Sequence, residues 1–404
     1  MKQEQDQQTG TSGEPEGFPA ALLRQPPGAR LEYFEHQCLI EHPRLREALA
    51  HILQTVCPPG DGATMRRPGT MVLVIGPPRV GKTTLIRLLE EQLLAQAKAQ
   101  MERDPGFIPF ASITTAGPDA GRFDWRTYYR AVLRGLRDPF VDGKIARIRE
   151  RELREAMESA LLHRRPIAVI VDEAHHLAKT SSGRHLQDNL DQLKYFENLT
   201  GVSHLLVGTY DLRPFRKVNA QLACRSVDVH FSRYDAAKED DAQVFRSVLW
   251  ALQRQLPVEQ EPQVVEQWEF LYARSIGCIG LVKMHLNRAL HMALAEGKKT
   301  VTLTHLRKTA MPEARVELAL RNALESETEL AESAGADERL LSLLGLRGPR
   351  PKEYQKPQLE EKAASVYEKG KRPGKREPAR DAIGEANGTE AITRADEGQE
   401  QAAG

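Results

Sequence analysis

Five apolar residues, Met71-Val72-Leu73-Val74-Ile75, run directly into Gly76-Pro77-Pro78-Arg79-Val80-Gly81-Lys82-Thr83, and a segment of helical apolar spacing follows from Leu85 to about Ala97. The run is short, β-branched and apolar on both faces, as a strand buried inside a parallel sheet must be. The octapeptide fits G-x-x-x-x-G-K-[ST]. Its glycines let successive backbone N–H groups and the next helix N-terminus wrap an oxyanion. A glycine-rich turn alone would not need a buried strand before it and a helix after it. Gly76, Pro77, Pro78, Arg79, Val80, Gly81 and Thr84 are therefore expected around the phosphates of a nucleotide. Lys82 is expected to reach the β- and γ-phosphates, and the Thr83 hydroxyl to bind Mg²⁺. ATP and Mg²⁺ are the expected cofactors.

Further strands are predicted over 107–114, 167–171, 203–208 and 227–231, with helical patterns between them. This alternation predicts an α/β fold, a P-loop core whose parallel sheet is flanked by helices. The apolar strand Ile167-Ala168-Val169-Ile170-Val171 ends in Asp172-Glu173. A single acidic residue there would read as a helix cap. A pair closing a wholly apolar strand downstream of a P-loop reads as catalytic, with Asp172 in the Mg²⁺ shell and Glu173 polarising the attacking water. Asp172-Glu173-Ala174-His175 spells a helicase tetrad, yet the other helicase motifs are missing. His175 and His176 are adjacent, so they cannot share a helix face as a zinc pair would, and they read as polar residues opening a helix. The strand ending at Gly208 would bring Thr209 close to the γ-phosphate, unless it is a plain strand-to-turn exit.

Around this core the chain divides by composition. Residues 1–28 are Gln-, Glu-, Gly- and Pro-rich and read as a disordered leader. Residues 29–234 form the nucleotide-binding domain, opening with a helical segment over 31–56 that breaks at Pro43. Residues 235–320 are helical throughout and read as a small all-α lid, 321–347 as a helical extension, and 348–404 as a disordered, partner-binding tail with a basic cluster from Lys369 to Arg380. The 57 Lys+Arg nearly balance the 56 Asp+Glu, for a net charge of +1, which excludes a histone-like polycation but not a local basic surface. Cys38, Cys57, Cys224 and Cys278 form no CxxC pair, which disfavours a disulfide scaffold or zinc knuckle and suits a reducing compartment. No apolar stretch is long enough for a membrane span.

The P-loop, the strand-terminal Asp-Glu pair and the helical lid together resemble the AAA+ ATPase superfamily. Within it, the segments GPPRVGKTTLIRLL, IAVIVDEAHHL, HLLVGTYDLRP with QLACRS, and GCIGLVKMHLNRAL resemble the TniB/TnsC family of bacterial transposition regulators, over about residues 30–312. The resemblance implies that Thr209 is a sensor of the γ-phosphate and that Arg225 acts in trans on the next subunit's nucleotide, a surface ion pair being the plainer alternative. Arg213, Arg216 and Arg233 are weaker rivals for that role. Lys283 is implied as the lid's basic sensor, with Arg288 as a substitute. It further implies an ATPase that assembles as a ring or helical filament on double-stranded DNA. That assembly would link a target-selector protein of TniQ/TnsD type to the transposase, and hydrolysis would time its disassembly. Such a protein is expected in the bacterial cytoplasm, associated with the nucleoid when DNA-bound. Arg122, Arg126, Arg130, Arg134 and Lys144 are candidates for phosphate contacts in the pore, or else belong to a solvated helix face. The alternative function is an AAA+ helicase loader or replication-initiator-like ATPase; a small-molecule kinase fits poorly, because no substrate domain is recognisable.

Overall fold

The computed structural model describes residues 17–57, 69–119, 121–139, 148–179, 183–218, 226–331 and 336–347. Of the expected site residues, Arg225 and Lys144 lie outside these, as do Cys224 and the basic cluster of the tail. The chain divides into two units, residues 1–331 and 332–404. In the second, the described helix is Ala336–Leu343.

The strands are β1 (Met71–Ile75), β2 (Phe110–Thr114), β3 (Ala168–Asp172), β4 (Ser203–Gly208) and β5 (Ser226–His230). They form one sheet in the order β2-β3-β4-β1-β5, and every pairing is parallel. β1 and β4 are buried at every position, which is why β1 and the Leu205–Val207 stretch of β4 are apolar without alternation, while Ser203 and His204 are buried polar residues at the start of β4. The edge strands β2 and β5 bury only part of their residues, and each carries polar positions. The period-two pleat divides the sheet's side chains between two cores. Leu73, Val169, Val171 and Leu206 face one layer, with Tyr128, Tyr129, Leu161 and Phe196. Val72, Val74, Ile170, Leu205 and Val207 face the other, with Leu45, Ile52, Leu85 and Leu89.

α1 (Pro27–Glu32) precedes the helices that flank the sheet, which include α2 (Pro43–Val56), α3 (Lys82–Arg103), α4 (Trp125–Gly135), α5 (Glu150–Arg164), α6 (Gly183–Thr200) and α7 (Pro214–Val218). Within the span expected to be an irregular leader, Ala20–Arg24 is a short 3-10 turn and α1 already begins at Pro27. The break at Pro43 is real: proline stands at the first turn of α2, where its missing N–H costs nothing, and the His42 side chain caps that turn. After β5 come α8 (Glu239–Arg254), α9 (Trp268–Ser275), α10 (Ile279–Ala295), α11 (Leu303–Thr309) and α12 (Glu313–Leu330). A third core, built on Phe245, Leu249, Val282, Leu286 and Leu290, holds α8 to α11 together and takes in Phe34 and Cys38 from the N-terminal segment. Among the described residues no helix is long and apolar enough to cross a membrane.

Candidate functional site

Parallel register places the carboxyl ends of β1, β3 and β4 along one edge. Ile75 pairs with Gly208, and Gly76 N–H donates to the Gly208 carbonyl at 3.3 Å. Open α/β sheets bind ligands outside this edge. Gly76–Gly81 leave β1 here, Asp172 and Glu173 leave β3, and Thr209 leaves β4.

Lys82 is the first residue of α3 and is 8% exposed. Its Nζ donates to the carbonyls of Gly76 (3.1 Å) and Pro77 (2.8 Å). Burial pulls its pKa down, opposed by the carboxylates of Glu173 and Asp172. Asp172 moves the other way, its carboxyl pushed above the usual range by burial, with the Glu173 charge adding to the rise. The Glu173 N–H donates to Asp172 Oδ1 at 2.8 Å, and the Thr115 hydroxyl donates to the carbonyls of Asp172 (3.2 Å) and Glu173 (2.7 Å). The backbone of the acidic pair is therefore held from both sides. Two crowded carboxylates facing a buried ammonium form a site suited to a polyphosphate with a divalent cation.

A cavity of about 440 Å³ joins these groups, within the usual pocket range of roughly 300–1,000 Å³. Pro78, Arg79, Gly81, Lys82, Thr83 and Thr84 form one wall, Asp172, Glu173 and Thr209 a second, and Gly280, Lys283, Met284 and Asn287 of α10 a third. Gly76 and Pro77 are buried behind the loop. Gly280 is where lid and loop meet, because a Cβ there would lie 2.3 Å from the Arg79 carbonyl. Only glycine allows that approach. A neighbouring cavity of about 220 Å³ shares Gly81, Thr83, Thr84 and Lys283, and adds Val80, Ile279, and Cys38, Ile40, His42 and Leu45 of the N-terminal segment.

That last wall was not legible as part of the site. The sequence marks 31–56 only as helical; the clue was the short non-helical interruption ahead of Pro43. Lys283 lines both cavities, but its Nζ donates to the carbonyls of Glu35 (3.0 Å) and Cys38 (2.6 Å), so it also ties α10 to this segment. Burial lowers its pKa. The rivals to Arg225 are paired within the chain: Arg213 with Glu329 (3.2 Å), Arg216 with Asp228 (2.5 Å) and Arg233 with Glu327 (3.1 Å). Arg122, Arg126 and Arg130 are not brought to the cavity. Arg122 is exposed just before α4, whereas Arg126 and Arg130 are half-buried on that helix, whose Trp125, Tyr128 and Tyr129 pack inward.

Residues 65–215 match a family model described as "AAA domain". None of the curated proteins matches the chain in sequence. Solved structures with a similar course include the ORC2 protein of Aeropyrum pernix (16% identity, TM-score 0.45, covering 78% of this chain and 79% of that one). Cdc6p of Pyrobaculum aerophilum is 16% identical, with a TM-score of 0.47 and 67% of each chain covered. The Drosophila ORC bound to DNA is 15% identical, with a TM-score of 0.44 over 86% of this chain and 87% of that one. Likenesses this distant assign no function. The chain contains an AAA-type P-loop ATPase domain with a five-stranded parallel sheet.

Proposed function

We propose that this AAA-type domain makes the protein an ATP-dependent regulator of DNA transposition, one that assembles on duplex DNA and joins a target-selector protein to the transposase. The observation that carries the ATPase reading is that Lys82, Thr83, Asp172, Glu173, Thr209 and Lys283 line one cavity together. The assignment to transposition rests on the resemblance of the GTYDLRP and GCIG segments to the TniB/TnsC family.

In this reading Lys82 leaves the Gly76 and Pro77 carbonyls for the β- and γ-phosphates, which satisfy a buried ammonium better than two neutral oxygens do. Thr83 and Asp172 would hold Mg²⁺, and the raised pKa of Asp172 marks a carboxylate that gains from a cation. Mg²⁺, when bound, neutralises charge on the phosphate oxygens. Glu173 would accept the proton of the attacking water, and Thr209 would donate to the γ-phosphate. Lys283 would sense the nucleotide from the lid, and Arg225 would reach the nucleotide of the adjoining subunit.

Electron microscopy of the full-length protein with duplex DNA, in ATP, a non-hydrolysable analogue and ADP, tests the reading. Rings or filaments on DNA in the two triphosphate states, lost in ADP, are expected. Monomers in every state would overturn it in favour of a helicase loader that assembles only on its client.

A further inference from the structure

We propose that His175 is a positioning residue for Glu173, holding its carboxylate at the mouth of the phosphate cavity and linking it to the loop that carries Thr209. The inference rests on the ATPase reading above and adds a residue to it. Glu173 adopts left-handed backbone angles, φ 53° and ψ 29°. Side chains rarely take this conformation, and where they do, surrounding contacts impose it, often at functional sites. Here the turn folds residues 174–177 back beside the acidic pair, and His175 becomes 7% exposed. Its Nδ1 is shut off from solvent with no aligned hydrogen-bond partner, while Glu173 Oε2 lies 3.1 Å away. A buried ring nitrogen without a partner costs free energy. A small rotation of the half-exposed carboxylate gives it an acceptor, and the two groups then fix each other.

The other side of the imidazole is packed. The His176 ring stands 4.4 Å from it, centroid to centroid. Gly208 comes so close that a Cβ there would be 3.0 Å from the His175 backbone nitrogen. Gly208 immediately precedes Thr209, and one turn further Asp211 pairs with Lys179 at 2.9 Å. The ring of His175 therefore faces the expected base, while its backbone lies against the strand end that carries the expected sensor. Burial, followed by the neighbouring His176 and Lys179, lowers its pKa to about 4, so at pH 7 the ring is neutral and offers one donor and one acceptor.

Steady-state ATP hydrolysis, with Mg²⁺ and duplex DNA, and equilibrium binding of a fluorescent ATP analogue would be measured on the full chain and on His175→Ala, His175→Asn and His175→Gln. The Asn amide nitrogen overlays Nδ1; the Gln amide reaches toward Nε2 instead. His175→Ala should lower kcat roughly tenfold to a hundredfold, part of what a well-placed base contributes, and leave nucleotide affinity unchanged. His175→Asn should recover most of that loss and His175→Gln should not. Undiminished kcat in His175→Ala would overturn the inference. So would an Asn variant as slow as Ala, or a loss of affinity matching the loss of rate. A wild-type chain that binds the analogue but hydrolyses no ATP would instead overturn the ATPase reading itself.

Discussion

Lys82 and Arg233 are both buried cations, 8% and 7% exposed, yet their surroundings differ. Arg233 lies in the seam between β5 and α12. Its Nε is 3.1 Å from Glu327 Oε1, its Nη2 donates to Oε2 at 3.1 Å, and its Nη1 reaches the Ile276 carbonyl at 3.4 Å. Burial is the strongest influence and works against its charge, but Glu327, together with Tyr272 and Asp235, more than offsets it and raises the pKa. Lys82 has two neutral carbonyls as hydrogen-bond acceptors, and burial prevails over the nearby carboxylates. A buried charge gripped at two points by its counter-ion belongs to the architecture. One left with partial compensation beside a cavity belongs to a site.

If this contrast is right, the two cations should fail differently. Lys82→Ala should weaken ATP binding by roughly a thousandfold, about 4 kcal/mol, while thermal unfolding shows the same or a higher Tm, because an ammonium penalised by burial has gone. Retained affinity in a titration would break the site assignment. Arg233→Ala should instead destabilise the fold by about 3 kcal/mol by stranding Glu327, and Arg233→Met combined with Glu327→Leu should recover most of it in denaturant titrations. A variant Arg233→Ala that unfolds like wild type would place the arginine with the ligand groups.

His204 sharpens the comparison with a group that is buried and neutral. It is fully buried in β4, with Glu197 Oε1 3.7 Å from Nδ1, and burial lowers its pKa to about 4. Between the ordinary histidine pKa and about 4, the unfolded chain binds the extra proton, so this contribution to stability is full above pH 6.5 and falls as the solution is acidified. The loss should reach roughly 2 kcal/mol by pH 5, and His204→Leu should show a shallower fall; an identical pH profile would mean the imidazole is not the group responsible. The smallest effect is expected at Lys283, which already has two carbonyl acceptors. Lys283→Met should weaken ATP binding about tenfold, near 1.4 kcal/mol, and a larger loss would show that the lid contact carries more of the binding than the loop.

The parts of the site that could be read from the chain are those whose signal is local. β1 is expected at Met71–Ile75 and β4 at Ser203–Gly208, and both stand there, because a strand buried on two faces shows as a short unalternating apolar run, Met71–Ile75 in one and Leu205–Val207 in the other. The edge strand β2 was expected from residue 107 but begins at Phe110, since a half-covered strand carries a weaker pattern. His175 and His176 read as polar helix-opening residues, and only the left-handed turn at Glu173 shows that one of them returns to the acidic pair.

By itself the sequence determined the phosphate loop, the acidic pair after β3 and the parallel α/β architecture, because backbone chemistry and hydrophobic period are properties of neighbours in the chain. Tertiary structure alone decided that Cys38 and His42 share a wall with the P-loop, that Lys283 holds the N-terminal segment, and that Arg233 finds Glu327. Those pairings join residues far apart in sequence, and which of many compatible charges and surfaces meet is set by how the helices pack against the sheet rather than by any local pattern.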